Sequence, residues 1–222
     1  MSGPVGAPRP VPGRALLLLA VGLVLTGSAG VAACQASPPG DFGRPTVAAP
    51  TAATTTASPL PVVDGTAPTA AAEDGPTRLT IPALGLKATV NAVGVDPDTG
   101  DFAVPPSVDQ VGWYRFGPGF SATAGSIVVA GHVDSAAEGR GAFFGLGSLE
   151  AGDEVALTGP DGQSRTFRVT AREHYRKTAI PLQKYFAREG PVRLTLITCG
   201  GPFDSRTRHY RDNVVVTAVP RT

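Results

Sequence analysis

The feature that most constrains the fold is a series of short apolar segments between Arg78 and Thr222, separated from one another by turn-forming residues. The turns contain Gly, Asp and Pro, as in "GPDGQ" and "REGP", and these residues favour tight reversals of the chain. Only "FFGLGSLEAG" and "IPLQKYFARE" are typical of short helical turns. The pattern therefore predicts an all-β barrel or sandwich. The candidate strands are "RLTI", "KATVNAVGV", "SIVVAGH", "DEVALTG", "RTFRVTAREHY", "VRLTLIT" and "NVVVTAV".

Composition narrows the class of protein further. A formal net charge of +1 argues against a basic nucleic-acid binder and against an acidic tail protein. The 28 glycines and 22 prolines favour turns and linker over long helices. A chain of 222 residues is long enough for one well-cored domain with additional segments.

The N-terminal residues 1–34 contain a membrane-targeting segment. Arg9 and Arg14 are followed by the uncharged run "ALLLLAVGLVLTGSAGVAAC", which ends at Cys34. Its length lies at the border between a signal peptide and a transmembrane helix, and the two arginines before it favour export of the C-terminal remainder of the chain. Since "VAAC" resembles a bacterial lipobox, three outcomes stay open: a lipid on Cys34, an uncleaved anchor, or cleavage and secretion.

Residues 35–77 are rich in Pro, Ala, Thr and Ser and contain few large apolar side chains. Such a segment buries too little surface to offset its chain entropy, so it predicts a disordered linker. The folded domain is then expected over residues 78–222. A disulfide between Cys34 and Cys199 is not expected, because this linker separates the two cysteines.

The segment "VRLTLITC" ends on the second cysteine of the chain, Cys199. Because side chains alternate along a strand, Leu194, Leu196 and Thr198 share one face while Cys199 lies on the other. We expect the strand to end at Cys199, since the two glycines after it permit the backbone to turn away. The sulfur would then be approachable, although a lone cysteine is also typical of a small buried apolar residue.

Two other stretches change the interpretation of this thiol. The apolar strand in "SIVVAGHVDS" ends on Gly131 and His132, and "RTRHYRDNVVVTAV" places arginines just before a final β-rich run. Cysteine, histidine and arginine, each at a strand end, could meet at one rim of a barrel.

These segments resemble bacterial sortases, most closely the class F group of actinobacteria and next the class E group. The resemblance covers nearly all of residues 78–219, and it implies an eight-stranded β-barrel with short helical turns. The matching segments are "TRLTIPALGL", "VGWYRFGPGFSATAGSIVVAGHVDS", "GAFFGLGSLEAGDEVALTG", "VRLTLITCGGPFD" and "HYRDNVVVTA".

The resemblance also implies roles for individual residues. Cys199 would attack the Thr–Gly bond of an LPxTG-like sorting signal and form a thioester. His132 would act as general acid and later as base. Arg211, with Arg208 as the alternative, would stabilise the oxyanion and the thiolate. Thr198 is a further candidate for orienting the oxyanion.

The same resemblance implies partners and a location. The partners would be sorting-signal peptides of secreted proteins and an amine acceptor, either a peptidoglycan precursor or a pilin lysine. The enzyme would be a monomer at the extracytoplasmic face of the membrane, held there through its N-terminus or a lipid on Cys34. We expect no cofactor, no metal and no nucleic-acid partner.

Other functions are less well supported by the residues. In L,D-transpeptidases an arginine follows the cysteine closely, whereas Gly200, Gly201, Pro202 and Phe203 follow it here. A zinc site would need ligand-spaced pairs such as C-x-x-C, which the sequence lacks. A membrane-tethered lipoprotein with a buried, inert cysteine is the non-enzymatic alternative, and another cell-wall cysteine hydrolase is the enzymatic one.

Overall fold

The alternating segments of the sequence form strands, as expected from their period of two. The computed structural model describes residues 40–43, 72–95 and 102–221. The strands are β1 (Arg78–Ile81), β2 (Leu86–Val93), β3 (Val111–Tyr114), β4 (Ser126–Gly131), β5 (Asp134–Ser135), β6 (Gly139–Arg140), β7 (Glu154–Thr158), β8 (Ser164–Arg176), β9 (Arg193–Asp204) and β10 (His209–Pro220).

Helices are few and short in this part of the chain. One α-helical turn, α1, spans Leu182–Tyr185. Four 3-10 turns span Ala72–Asp74, Pro82–Leu84, Leu146–Ser148 and Lys177–Ala179.

Eight of the described strands close into a barrel in the order β1-β2-β3-β4-β9-β10-β8-β7, and β5 pairs with β6 in a separate hairpin. Adjacent barrel strands are antiparallel except for the pairs β2/β3 and β4/β9, which are parallel. The prediction of an all-β, eight-stranded barrel is therefore confirmed.

The sequence pattern missed β3. Its four residues "VGWY" show no alternation of apolar and polar side chains, because Val111, Gly112 and Trp113 are all buried. Trp113 lies in the barrel core, where its indole Nε1 donates to the carbonyl of Pro118 at 3.0 Å. A short strand buried on both faces lacks the period that identifies a strand by sequence.

The expected end of β9 at Cys199 is wrong. The strand continues through Gly200 and Gly201 to Asp204 and stays paired with β10. Gly200 and Gly201 lie at a β-bulge and not at a turn. Gly201 has a φ of 72°, and a Cβ there would lie 2.1 Å from Oδ2 of Asp212. A side chain at this position would therefore meet both backbone strain and a clash.

The two faces of β9 are as predicted. Leu194 and Leu196 are fully buried in the barrel core, so Cys199, which has the opposite parity, projects from the outer face. On the neighbouring strand, Gly131 has the parity of the core, and a Cβ there would lie 2.9 Å from the ring of Phe143. The close packing of Phe143 thus explains the glycine before His132.

Two pieces of the predicted linker contact the barrel. Residues 40–43, called the strap below, lie beside β8, where the backbones of Phe42 and Arg172 exchange two hydrogen bonds of 3.1 Å. The guanidinium of Arg172, 3% exposed, lies 4.8 Å from the centre of the Phe42 ring. At the start of the domain, Asp74 accepts hydrogen bonds from the backbone and hydroxyl of Ser121.

The predicted membrane-targeting segment and Cys34 lie outside the described residues. Within the part of the chain that is described, no helix has the length and apolar character needed to cross a membrane.

Candidate active site

Cys199 and His132 are brought together by the pairing of β4 with β9. The two strands run parallel, and Ala130 lies opposite Ile197. Continuing that register by two residues places His132 beside Cys199. Both have the parity of the outer face, and neighbouring strands lie about 4.8 Å apart. The histidine and the thiol therefore share one face of the sheet.

The side chain of Thr198 forms a further link between β4 and β9 near the site. Its hydroxyl donates to the carbonyl of Gly131 at 2.8 Å, and the residue is 4% exposed. The bond ties β9 to β4 one residue before both Cys199 and His132. This contact supports a structural role for Thr198 in the pairing of the strands, and its role in orienting the oxyanion stays a prediction.

The imidazole of His132 is held in one orientation. Its Nε2 lies 2.9 Å from the carbonyl oxygen of Pro105. A carbonyl oxygen only accepts hydrogen bonds, so Nε2 carries a proton in both the neutral and the charged ring. Nδ1 is then the nitrogen that can exchange a proton with a reacting group.

Arg211 belongs to the same outer face as the thiol. Asn213 lies directly opposite Cys199, and Arg211 precedes it by two residues on β10. In a regular ladder such diagonal neighbours are about 7–8 Å apart, which is within the reach of a long side chain. Arg211 itself lies at the register shift between Tyr210 and Asp212 and has no directly paired residue. Among the described residues, no hydrogen bond or ion pair connects Arg211, Cys199 and His132 to one another.

Arg208 occupies a different position. It lies in the turn between β9 and β10, is exposed and has a φ of 57°, and its amide donates to the carbonyl of Asp204. Of the two candidate arginines, Arg211 is the one that the alternation of side chains along β10 places on the face of Cys199, since Val216 and Ala218 face the core.

Comparison with known proteins decides the family. A family model described as the sortase domain matches residues 79–221. The chain belongs to the sortase family. Sortases are cysteine transpeptidases, so the family assignment agrees with a half-buried free thiol at Cys199. No curated protein matches the chain by sequence.

Solved structures show the same fold. Sortase A from Corynebacterium diphtheriae has 17% identity and a TM-score of 0.50, with 65% of this chain and 60% of that one covered. A pilus-related sortase C of Group B Streptococcus has 12% identity and a TM-score of 0.50, with 68% and 69% covered. This sortase thus spans 60% of the length of the first relative and more of the second.

A tyrosine and an aspartate near the thiol were missed by sequence reasoning. The hydroxyl of Tyr210 donates to Oδ2 of Asp134 at 2.5 Å. This hydrogen bond, together with burial and the nearby acidic groups of Asp134 and Cys199, raises the pKa of Tyr210 to about 12. The two residues are 76 positions apart, and no local pattern in the sequence pairs them.

A buried carboxylate on the same outer face was also missed. Glu173 on β8 lies opposite Val215, which in turn lies opposite Ile197 of β9. Its carboxylate accepts hydrogen bonds from Lys184 at 2.8 Å and from Tyr185 at 2.7 Å. Helix α1 is thereby fixed to the sheet beside the site.

The environment of Glu173 also sets its charge. Burial alone would raise the pKa of this carboxyl group. Hydrogen bonds from Lys184, Tyr185 and Tyr175, with the positive charge of Lys184, outweigh burial and lower the pKa below its ordinary value. The buried side chain is therefore a carboxylate at neutral pH.

The described ranges contain no group of three or more His, Cys, Asp or Glu side chains arranged to hold a metal ion. His174 lies on β8 with its Nδ1 2.6 Å from Oδ1 of Asp41 in the strap, and His209 is exposed at the start of β10. Neither histidine shares the register that places His132 beside the thiol.

Proposed function

We propose that this sortase cleaves an LPxTG-like sorting signal through a thioester on Cys199 and transfers the acyl part to an amine. The observation that supports this function is the parallel register of β4 and β9, which sets the thiol beside an oriented histidine on one outer face. In the first step the sulfur attacks the Thr carbonyl carbon, a C–S bond forms, and the Thr–Gly C–N bond breaks.

His132 moves the protons of both half-reactions. Nδ1 takes the proton of the thiol as the sulfur attacks and gives it, as a general acid, to the leaving glycine amine. As a base it then takes a proton from the incoming amine and returns it to the departing sulfur. The carbonyl of Pro105 keeps the ring in place during these steps, because it bonds the other nitrogen. Thioester formation followed by aminolysis returns the thiol unchanged.

Arg211 supplies the positive charge of the site. The tetrahedral intermediate carries an oxyanion, and a preorganised cation stabilises it more than it stabilises the uncharged substrate carbonyl. The same cation favours the thiolate form of a neighbouring cysteine. An exposed guanidinium two residues from the position opposite Cys199 can reach both charges.

The class and setting of the enzyme are part of the proposal. The segments "SIVVAGHVDS" and "HYRDNVVVTA" support class F, with class E next. We propose that the acceptor is a cell-wall amine, and we favour a peptidoglycan precursor over a pilin lysine. The uncharged run that ends at Cys34 supports attachment to the outer face of the membrane, either as an uncleaved anchor or through a lipid on that cysteine.

The activity is tested with the full chain in detergent, LPxTG-like peptides of varied sequence and several amines, with products identified by mass spectrometry. We expect a peptide product joined to the amine and a thioester adduct on Cys199. The matched control is Cys199→Ala, which should form neither. Product formation by that variant, or no product with any peptide, would contradict the proposal.

A further inference from the structure

The arginine of the site lies in a part of the structure with little support of its own. The pairing of β9 with β4 ends at Ile197, and that of β10 with β8 ends at Asp212. Beyond these points β9 and β10 pair only with each other, and a register shift between Tyr210 and Asp212 leaves Arg211 without a directly paired residue. Residues 200–204 and 209–211 therefore form a two-stranded ribbon beyond the barrel, in which Phe203 pairs with Tyr210 and Asp204 with His209. A two-stranded hairpin alone is marginally stable in water, so another contact must hold the ribbon in place.

The side chain of Tyr210 supplies that contact. Its hydroxyl bonds to Asp134 at 2.5 Å, and its ring packs against Phe203 of the same ribbon with ring centres 5.1 Å apart. Asp134 begins β5, two residues after His132. The bond therefore connects the ribbon that carries Arg211 to the segment that carries His132.

The segment at the other end of this hydrogen bond is firmly attached to the barrel. The carbonyls of His132 and Val133 accept hydrogen bonds from the amides of Phe143 and Gly141 at 3.0 and 2.9 Å. Phe143 is itself fully buried in the core. Asp134 thus offers a fixed point to which the ribbon is tied.

We propose that Tyr210 and Asp134 form a positioning pair, whose hydrogen bond fixes the ribbon and thereby sets the place of the Arg211 guanidinium relative to Cys199 and His132. The inference rests on the proposed function, since it gives Arg211 its role at the oxyanion. Tyr210 itself does not touch the reacting atoms in this scheme. It acts through Arg211, the next residue of β10.

Loss of the hydroxyl should change catalysis more than binding. Tyr210→Phe keeps the ring and its packing on Phe203 but removes the bond to Asp134. A misplacement of about 1 Å can cost as much as a hundredfold in rate. Because a single hydrogen bond is lost and the ribbon ladder remains, we expect kcat to fall about tenfold while KM changes by less than about twofold.

The test is a set of double-mutant cycles in the full chain. We expect Tyr210→Phe combined with Asp134→Ala to be no slower than the slower single variant. Tyr210→Phe should cause no further loss once Arg211 is replaced by alanine. Asp134→Asn, which keeps an oxygen acceptor, should retain most of the activity. Tyr114→Phe, at the end of β3 away from Cys199, is the matched control and should behave as wild type.

Alkylation of Cys199 by iodoacetamide separates this inference from the proposed function, because it needs no substrate. At pH 7, Tyr210→Phe should slow alkylation in the wild-type background and should have no effect in Arg211→Ala. If the wild type cleaves no peptide but this pattern appears, the transpeptidase proposal fails and the positioning pair stands.

If Tyr210→Phe keeps the wild-type kcat and alkylation rate, or if its loss adds in full to that of Arg211→Ala, the positioning pair is wrong. An Arg211→Ala variant that resembles wild type in both measurements would overturn it as well.

Discussion

Replacing Glu173 with glutamine should destabilise the domain while leaving its shape intact. The carboxylate, with the residue 4% exposed, receives hydrogen bonds from Lys184, Tyr175 and Tyr185. Removing one partner of a fully buried ion pair costs about 3–5 kcal/mol. Lys184 keeps 35% of its side chain exposed and can regain water, so we expect a smaller loss of about 2 kcal/mol.

The loss of stability caused by Glu173→Gln should become smaller as the pH falls. The pKa of Glu173 is lowered in the folded chain relative to its ordinary value of 4.5, so the unfolded chain binds the proton more readily. The carboxylate therefore contributes stability above about pH 4.5, and this contribution disappears as the pH falls through the lowered pKa of the folded state. The difference between the wild type and Glu173→Gln should shrink over the same range.

Urea unfolding at pH 7 and at stepwise lower pH measures this difference directly. The matched control is Glu154→Gln, because Glu154 also pairs with a cation, Arg221, but has 46% of its side chain exposed. Exposed pairs contribute about 0–1 kcal/mol, so the control should change little. A deficit in Glu173→Gln that stays constant from neutral to acid pH would refute the assigned role of the charge.

Four further changes test the site and the strap. Cys199→Ala should abolish thioester and product with an unchanged unfolding free energy, since its side chain projects from the outer face; a large loss of stability would contradict this. His132→Ala should reduce turnover far more than His209→Ala, and equal effects would mean that the acid is misplaced. Arg211→Ala should lower the rate of peptide cleavage about a hundredfold to a thousandfold, and Arg211→Lys should rescue part of it, whereas a severe loss in Arg208→Ala would reverse the assignment. Phe42→Ala should lower the unfolding free energy by about 1–2 kcal/mol in denaturant titrations, because the ring covers Arg172; no change would mean that the strap adds nothing to stability.

Local patterns in the sequence were sufficient for seven of the eight barrel strands and for the two faces of β9. Alternation placed Leu194 and Leu196 on one face and Cys199 on the other, because the parity of a strand depends only on neighbouring residues, and closure of the barrel buried the face of the leucines. The same reasoning failed at β3, which is buried without alternating, and beyond Cys199, where glycines that allow a turn equally allow a bulge. Glycine permits both conformations, and the pairing partner chooses between them.

At the level of the sequence, the positions of Cys199 and His132 at strand ends allowed them to meet at one rim of a barrel, and the resemblance of motifs implied a joint role. The geometry of their meeting depends on the parallel register of β4 and β9, whose paired residues are 67 positions apart. Register is a property of two strands together, so neither strand alone contains it.

The contacts that no motif indicated are those with long sequence separations and ordinary residue types. Tyr210 finds Asp134 across 76 residues, and Asp41 of the strap finds His174 across 133. Each of these residues by itself is typical of a polar surface residue. The residue type shows that a side chain can form a hydrogen bond, but not which distant residue is its partner. Sequence alone therefore determined seven of the eight barrel strands and, through the resemblance, the candidate chemistry. The closure of the barrel decided which side chains face one another, since only closure brings distant strands into register.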